Sequence, residues 1–452
     1  MSESPARAPS KAHYARLPEK VMQRNRLMGI FEGGTARVIF SLTTGAFLVG
    51  FLKHMGADDT ICGYILSIPI LAAAIQFLAP IVLERLEFRL RIILLGNGLH
   101  RLLLSLMILI PFLPLPSAIK LWITAGIYLL SNLSVSFVTP AAANLYVSFV
   151  EPQNRGKYFG NRESWLLVFA TVMNLVLGKA LDLFRDAGNE RGGFLVIYGT
   201  IFLLTLLNAW CFFQMREVPL GHSPEPMKIR EVFTLPLKSR RFLRFFVLSV
   251  LWNLSFQFSA AFFGIYQVNE LALTYTEINL YGMLSNVTYF LCAQWWGRIA
   301  DRKGWSFTTR ISFLFLGITC VMWFFIVKGS LLAPLMSMAM LLSGIAWSGL
   351  NVSMFNLQFD FMPEERRTVY IGFNSTVSGL LGYAASLAGA MLVGAASPFR
   401  TTLLGIPVGI KQLLFLASGL LICGCAFYIH LFMQQKQNGA HTPETKGSTP
   451  TT

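Results

Sequence analysis

The segment Gly297-Arg-Ile-Ala-Asp301-Arg302-Lys-Gly304 is the polar connection that joins two long apolar runs, residues 277–299 and 306–327. Each run has about the 20 residues that a helix needs to cross the hydrocarbon core of a bilayer. Ten further runs of similar length occupy most of the remaining chain: 28–52, 61–83, 91–113, 119–149, 163–184, 193–215, 243–268, 331–360, 368–394 and 406–433. The sequence therefore predicts a membrane protein with twelve transmembrane spans.

Lysine and arginine are concentrated in alternate connections between these runs. Of the 37 basic residues, 23 lie in the N-terminal arm, in the connections after runs 2, 4, 6, 8 and 10, or in the C-terminal tail. Five lie in the other connections and nine inside runs. By the positive-inside rule, we expect a multi-pass protein of the plasma membrane, such as a bacterial inner membrane, with both termini in the cytoplasm.

Composition and charge limit the kinds of binding partner and functional site that the chain can have. The net charge of +15 is spread over short loops, which favours anionic lipid headgroups over nucleic acid. All six cysteines lie inside predicted spans, where they are expected to be packing residues, and their spacing suggests neither a metal site nor a disulfide framework. We find no phosphate-binding Gly-x-x-x-x-Gly-Lys-Ser/Thr motif and no catalytic constellation, so we expect neither a cofactor nor an enzyme.

The longest polar connection divides the chain into two groups of six spans. We predict a cytoplasmic arm (1–27), an N-terminal six-helix bundle (28–215), a cytoplasmic linker (216–242), a C-terminal six-helix bundle (243–433) and a disordered cytoplasmic tail (434–452). The tail is rich in glycine, threonine and proline, a composition typical of disordered segments.

The two groups repeat each other at equivalent connections. After span 4, Pro152 is followed by Arg155 and then by a Tyr-x-Gly; after span 10, Pro363 is followed by Arg366 and another Tyr-x-Gly. The ends of spans 2 and 8 also match, and all offsets are close to half the chain. Six spans repeated in one orientation imply a pseudo-twofold axis along the membrane normal, with a site between the halves.

The connection 297–304 resembles the loop signature of the major facilitator superfamily, Gly-x-x-x-Asp-Arg-x-Gly, although Trp305 follows where the family usually has a basic residue. The first half carries a degenerate copy, in which Glu84 replaces the aspartate and Arg85 is retained. The resemblance covers all twelve spans as topology. It implies an all-α membrane protein with twelve helices in two pseudo-symmetric six-helix bundles, acting as a secondary active or facilitative transporter by alternating access.

The same resemblance implies a gating role for the signature. It places Asp301 against the start of span 5 and Glu84 against the start of span 11, where a carboxylate is stabilised by a helix N-terminus. The alternative is that these charges only set topology and anchor loops. The candidate gating residues are Glu84, Arg85, Gly297, Asp301, Arg302, Gly304, Arg155 and Arg366.

Ionisable residues within spans are the next candidates, because a charge inside a bilayer usually faces protein or a wet cavity. The resemblance implies that spans 1, 4, 7 and 10 line the central cavity, which makes Arg37 in span 1 the leading substrate-binding residue. Its alternative role is a structural ion pair, although Glu32 lies on a poorly matched face of the same helix. Glu32 itself either binds substrate or sits at the cytoplasmic mouth.

Uncharged polar and aromatic residues complete the predicted site. Asn132, Asn253, Gln257, Trp347 and Asn351 offer hydrogen bonds or a stacking surface to a polar solute, and they serve equally well as contacts between helices. By contrast, His100 and Arg101 are expected to satisfy buried partners within the first half. Lys179 and Asp182 are expected to form an i,i+3 pair near the outer interface.

The sequence therefore predicts a monomeric transporter of a small polar solute, anionic if Arg37 binds it. The alternative is a transport-inactive sensor or scaffold. Coupling is open between a proton, for which Glu32 is the one convincing in-span carboxylate, a counter-substrate, and simple facilitated transport.

Overall fold

The structure is a computed structural model that describes residues 18–79, 83, 88–151, 155–217, 229–362, 367–396, 399–403 and 406–433. It is almost entirely helical. The helices are α1 Glu19–Leu42, α2 Gly45–His54, α3 Asp59–Ala73, α4 Leu90–Leu106, α5 Ser117–Ser148, α6 Arg155–Asp186, α7 Glu190–Gln214, α8 Ile229–Lys238, α9 Arg240–Ala260, α10 Phe262–Asn269, α11 Tyr275–Lys303, α12 Trp305–Phe325, α13 Leu332–Phe361, α14 Arg367–Ala395 and α15 Ile410–Phe432. The strands β1 Arg400–Leu403 and β2 Ile406–Gly409 form an antiparallel hairpin before α15.

Within the described residues, ten helical segments are long and apolar enough to cross a membrane, or eleven if α1 and α2 count as one bent span. The remaining predicted run, 277–299, is α11, a helix of 29 residues that carries too many polar side chains to be identified by hydropathy alone. The all-α membrane fold is confirmed. The last predicted run begins too early, since residues 406–409 are a strand.

The first span is broken where three small residues interrupt it. The hydroxyls of Thr43 and Thr44 donate to the carbonyls of Ile39 and Phe40, both at 2.8 Å, which ends α1. Gly45 then takes a positive φ of 53°, a conformation that glycine adopts without strain. As a result α2 leaves at an angle of 46° to α1.

The same packing pattern occurs in both halves. In the N-terminal half, α1 packs against α6 and α7, and α4 packs against α5 and α7. In the C-terminal half, the equivalent helix α9 packs against α14 and α15, and α12 packs against α13 and α15. The sequence repeat is thus a structural repeat, and the expected pseudo-symmetric pair of bundles is present.

The halves meet through α3 with α14, α6 with α11, and α2 with α10. We call the side of the molecule that carries residues 53–59 and 269–275 the outer face, following the predicted topology. There α2 and α10 approach so closely that a Cβ on Gly264 would lie 3.3–3.4 Å from the backbone of Gly45 and Ala46. The two half-helices therefore close the centre of the molecule toward the outer face.

Candidate functional site

A cavity of about 390 Å³ lies between the two halves, bounded by α1 and α2, by α6 and by α11. The break in the first span forms one wall, because residues on both sides of it, from Phe40 to Phe47, line the space. Its volume is in the range of small-molecule sites.

Among the residues that the structure describes, Arg37 is the only charged one that lines this cavity. Its side chain is exposed and makes no hydrogen bond or ion pair with any residue that the structure describes. A guanidinium carries five donors in a planar fork that matches a carboxylate or a phosphate. The cavity thus holds a cation with its donors available to a ligand.

Three asparagines from both halves line the same space. Asn174 of α6 accepts from Ser41 at 2.8 Å, and its backbone carbonyl accepts from the amide of Asn279 on α11 at 3.2 Å. Asn286, two turns along α11 from Asn279, makes no hydrogen bond with a described residue. The site therefore offers unused amide groups on α6 and α11 as well as the guanidinium on α1.

The N-terminus of α2 also opens into the cavity. Gly45 is exposed there, and Thr44 at the N-cap directs its hydroxyl back to α1, so no side chain caps the first N–H groups of α2. Uncapped N–H groups and the positive end of the helix dipole favour an anion. This field has the same sign as the charge of Arg37.

Sequence reasoning missed the contribution of α11. Asn279 and Asn286 are seven residues apart, a spacing that places both on one helical face, so the signal was present. It was passed over because the resemblance places only spans 1, 4, 7 and 10 around the cavity.

Glu32 lies outside this cavity and is buried in a polar network within the N-terminal half. Its carboxylate accepts from Arg101 of α4 at 2.8 Å, from Tyr146 of α5 at 2.5 Å and from Asn208 of α7 at 3.4 Å. Arg162 of α6 lies 3.8 Å away and stacks over the ring of Tyr146. The network ties α1 to four other helices.

Arg101 and His100 have the buried partners that were expected for them. The guanidinium of Arg101 also donates to Asn208, and His100 lies 2.7 Å from the hydroxyl of Ser131. The expected Lys179–Asp182 pair, however, is wrong: Asp182 instead accepts from the N–H groups of Tyr275 and Thr276 at 2.9 and 2.8 Å. A carboxylate from α6 thus caps α11 across the interface between the halves, because a helix N-terminus offers it more donors than one exposed lysine.

The other predicted substrate residues lie apart from the Arg37 cavity. Asn132 is buried and donates to the carbonyl of Tyr128, while Asn253 donates to that of Ser249. Gln257 packs beside Asn253 against Gly382 of α14. These three take part in packing within or between helices.

Two predicted residues of α13 lie in a different part of the C-terminal half. Trp347 makes edge-to-face contacts with Trp252 and Phe256, at centroid distances of 5.8 and 5.2 Å. Asn351 is exposed and lies 3.4 Å from the hydroxyl of Tyr289. The structure therefore brings neither of them to Arg37.

The signature connection ends α11. Gly304 has a φ of 81° and its N–H donates to the carbonyl of Ala300 at 2.8 Å, so the glycine makes the turn into α12. Arg302 is exposed. A Cβ on Gly297 would meet no atom within 4 Å, so no close contact requires that glycine in this conformation.

The remaining gating candidates cannot be located by their side chains. Glu84, Arg85 and Arg366 lie outside the described residues, as do the side chains of Asp301 and Arg155.

The outer face is fastened by a second polar cluster, which we call the outer latch: Lys53, Asp59, Asn269, Glu270 and Lys411. Asp59 at the start of α3 pairs with Lys53 at 2.5 Å and accepts from Asn269 at 2.7 Å. Lys411 at the start of α15 pairs with both Asp59 and Glu270. Asp59 belongs to the N-terminal half and Asn269, Glu270 and Lys411 to the C-terminal half, so the latch joins the halves.

The family relationship follows from sequence and fold together. The sequence profile described as Major Facilitator Superfamily matches residues 31–387, which is more than half of the chain. A search of curated proteins found no match.

Solved structures of transporters share the fold at low sequence identity. A mutant of the nucleoside transporter NupG has a TM-score of 0.67 and 13% identity, and the match covers 92% of this chain and 100% of that one. A bacterial homologue of the iron transporter ferroportin in an inward-facing state has a TM-score of 0.65 and 16% identity, over 92% and 99% of the two chains. A bacterial homologue of ferroportin in an outward-facing state gives 0.58 and 15%, over 91% and 98%. The chain therefore belongs to the Major Facilitator Superfamily and is a multi-pass membrane transporter.

Proposed function

We propose that this protein moves a small solute that carries at least one negative charge, and that Arg37 binds this charge in the cavity between the halves. The observation that carries the proposal is a guanidinium, in the space that both halves share, that has no partner among the described residues. An arginine within a span costs a few kcal/mol or more unless it meets water or a counter-charge. The uncapped N-terminus of α2, the amide nitrogen of Asn174 and the amide of Asn286, which have no partner among the described residues, support the same ligand chemistry.

The conformation fits alternating access. The outer latch, the α2–α10 contact and the Asp182 cap all fasten the outer face, so the solute reaches Arg37 from the cytoplasmic side in this state. In the opposite state the latch separates and, we propose, the signature residues around Asp301 and Arg302 and their first-half counterparts Glu84 and Arg85 close the cytoplasmic side.

Coupling through Glu32 is disfavoured by its surroundings. The Glu32 carboxylate is already the shared counter-ion of Arg101 and Arg162, and Arg101 is buried. Exchange of one anion for another at Arg37, or facilitated transport, needs no titrating carboxylate. We propose one of these two modes for a monomer in the plasma membrane, with both termini cytoplasmic.

The experiment is a binding and uptake screen with the purified protein in lipid nanodiscs and proteoliposomes. A library of carboxylates, phosphates and neutral polar solutes is tested for thermal stabilisation, since a ligand of the folded state raises its apparent stability. Hits are expected among anions, weaker in Arg37→Lys and weaker still in Arg37→Gln. Arg91→Gln, which removes an exposed arginine at the start of α4, is the matched control. Wild-type affinity in both Arg37 variants would refute the proposal.

A further inference from the structure

A second cavity of about 330 Å³ lies between α6 and α11. Its walls are apolar along most of their length, and several of the lining side chains are exposed at the protein surface within the predicted spans. The clearest examples are Val168 and Val172 on α6 and Val287, Phe290 and Leu291 on α11. We call this space the lateral crevice.

Among the described residues, the contacts that fasten α6 to α11 lie at the outer end of the two helices. At the outer end, a Cβ on Gly178 would lie 2.8 Å from the amide of Asn279, so the absence of a side chain lets the helices touch there. The Asp182 cap fastens the same end. Toward Ser164 and Leu291 the antiparallel helices separate and leave the apolar gap.

The lateral crevice is continuous with the Arg37 cavity. Leu167, Thr171 and Asn286 line both spaces. One end of the combined site therefore carries the guanidinium, the amides and the helix N-terminus, whereas the other is apolar and lies among side chains exposed at the surface of the spans. This separation of polar and apolar surface is the pattern that an amphiphile would match.

We infer that the substrate is an amphiphilic anion, whose charged head binds at Arg37 and whose alkyl chain lies in the lateral crevice. The inference rests on the proposed function and adds the apolar part of the substrate to it. The charged head in the wet cavity stays hydrated or pairs with the guanidinium of Arg37. The alkyl chain between α6 and α11 stays in apolar surroundings while the molecule enters. The crevice thus lets such a molecule enter the cavity laterally from the bilayer without its charged head crossing hydrocarbon or its alkyl chain entering water.

The test compares three probes in nanodiscs: inorganic phosphate, decyl phosphate and decanol. Binding of labelled probe is measured after subtraction of empty nanodiscs, which removes partitioning into lipid. Val172→Trp fills the crevice from α6. Val176→Trp, one turn along the same face and outside the crevice lining, is the matched control, because both valines are more than half exposed (53% and 59%) and tolerate a larger side chain. Arg37→Gln tests the head site.

We expect decyl phosphate to bind more tightly than phosphate or decanol. Val172→Trp should weaken the binding of decyl phosphate about tenfold, because roughly two methylenes would lose their apolar site. The binding of phosphate should change little. Val176→Trp should change neither, and Arg37→Gln should weaken both phosphates.

Three results would decide against the inference or its foundation. If phosphate and decyl phosphate bind with equal affinity, and Arg37→Gln weakens both while Val172→Trp changes neither, the substrate is a polar anion and only this inference falls. If Val172→Trp weakens decyl phosphate and decanol equally and Arg37→Gln changes neither, the crevice holds only a bilayer lipid chain, and the inference falls with the head site. If Arg37→Gln leaves phosphate and decyl phosphate binding unchanged, the proposed function itself falls.

Discussion

Lys411→Gln is predicted to open the outer face. Lys411 is nearly buried and is the only cation of the outer latch that bridges Asp59 of one half and Glu270 of the other. Without it, two carboxylates of opposite halves face each other with Lys53 as the remaining cation. Because the halves must separate here for the site to face outward, the loss acts on the closed state more than on the open one.

The magnitude follows from the exposure of the latch. Removing one partner of a fully buried ion pair costs about 3–5 kcal/mol. Asp59 and Glu270 keep about a quarter of their side-chain surface exposed, and Asp59 retains both Lys53 and Asn269. We therefore expect about 1–2 kcal/mol, or roughly a 5- to 30-fold shift of the conformational ratio toward the outward-open state.

The assay is a distance measurement between spin labels on opposite halves. Ala187 and Ser330 are exposed on outer loops and are labelled as cysteines in a background without the six native ones. The long-distance population should increase in Lys411→Gln and stay at the wild-type level in Lys179→Gln, which removes an exposed lysine on α6. An unchanged distance distribution in Lys411→Gln would show that the latch does not set the balance between the two states.

Four further predictions can be tested separately. In Lys411→Gln, acidification should partly restore the closed state. Burial raises the pKa of Glu270 in the closed state above its pKa when exposed, so the closed state is favoured as the pH falls below that raised value and is lost as the pH rises through it. A distance distribution that does not change with pH would contradict this. Glu32→Gln should lower the free energy of unfolding by about 3–5 kcal/mol, because buried Arg101 loses its counter-ion. Thermal unfolding in nanodiscs measures this change, and a much smaller loss would contradict the prediction. Asp301→Asn should slow uptake with near-normal expression, and unchanged uptake and accessibility would leave that residue only a topological role. A cysteine at Lys238 should react with a membrane-impermeant reagent only from the cytoplasmic side, and labelling from outside would overturn the topology.

Span positions and the repeat were predictable because they depend on local composition. A bilayer requires about 20 apolar residues per helix, and this requirement is visible in a single sequence. The pairing of helices in the two halves then follows the Pro-x-x-Arg and Tyr-x-Gly repeat, since equal sequences in equal positions pack equally. The run 277–299 was predicted as well, although the helix it forms, α11, carries many polar side chains and lies between the halves.

The partners of charged residues were not predictable from local composition. Glu32 and Arg101 are separated by 69 positions, and Asp59 and Lys411 by 352. Which helices bring such residues together depends on crossing angles and on small residues at contacts, such as Gly178 and Gly264. Lys411 lies inside the predicted run 406–433, and nothing in the local sequence marks it as the central cation of the outer latch.

Arg37 and Arg101 show what distinguishes a ligand-binding charge from a structural one. Both are arginines inside predicted spans of the first half, and only the family resemblance, which places span 1 at the cavity and not span 3, separates them in the sequence. Arg101 has a carboxylate and an amide as partners and is buried, so its charge is already balanced by the fold. Arg37 has no partner among the described residues and faces the cavity between the halves. Under the proposed function, Arg37 and the uncapped helix N-terminus beside it form an anion site that a bound solute completes. Exchange of anions at that site would then couple the two directions of transport without any proton, since a site empty of anion leaves the closed intermediate with an unbalanced buried charge.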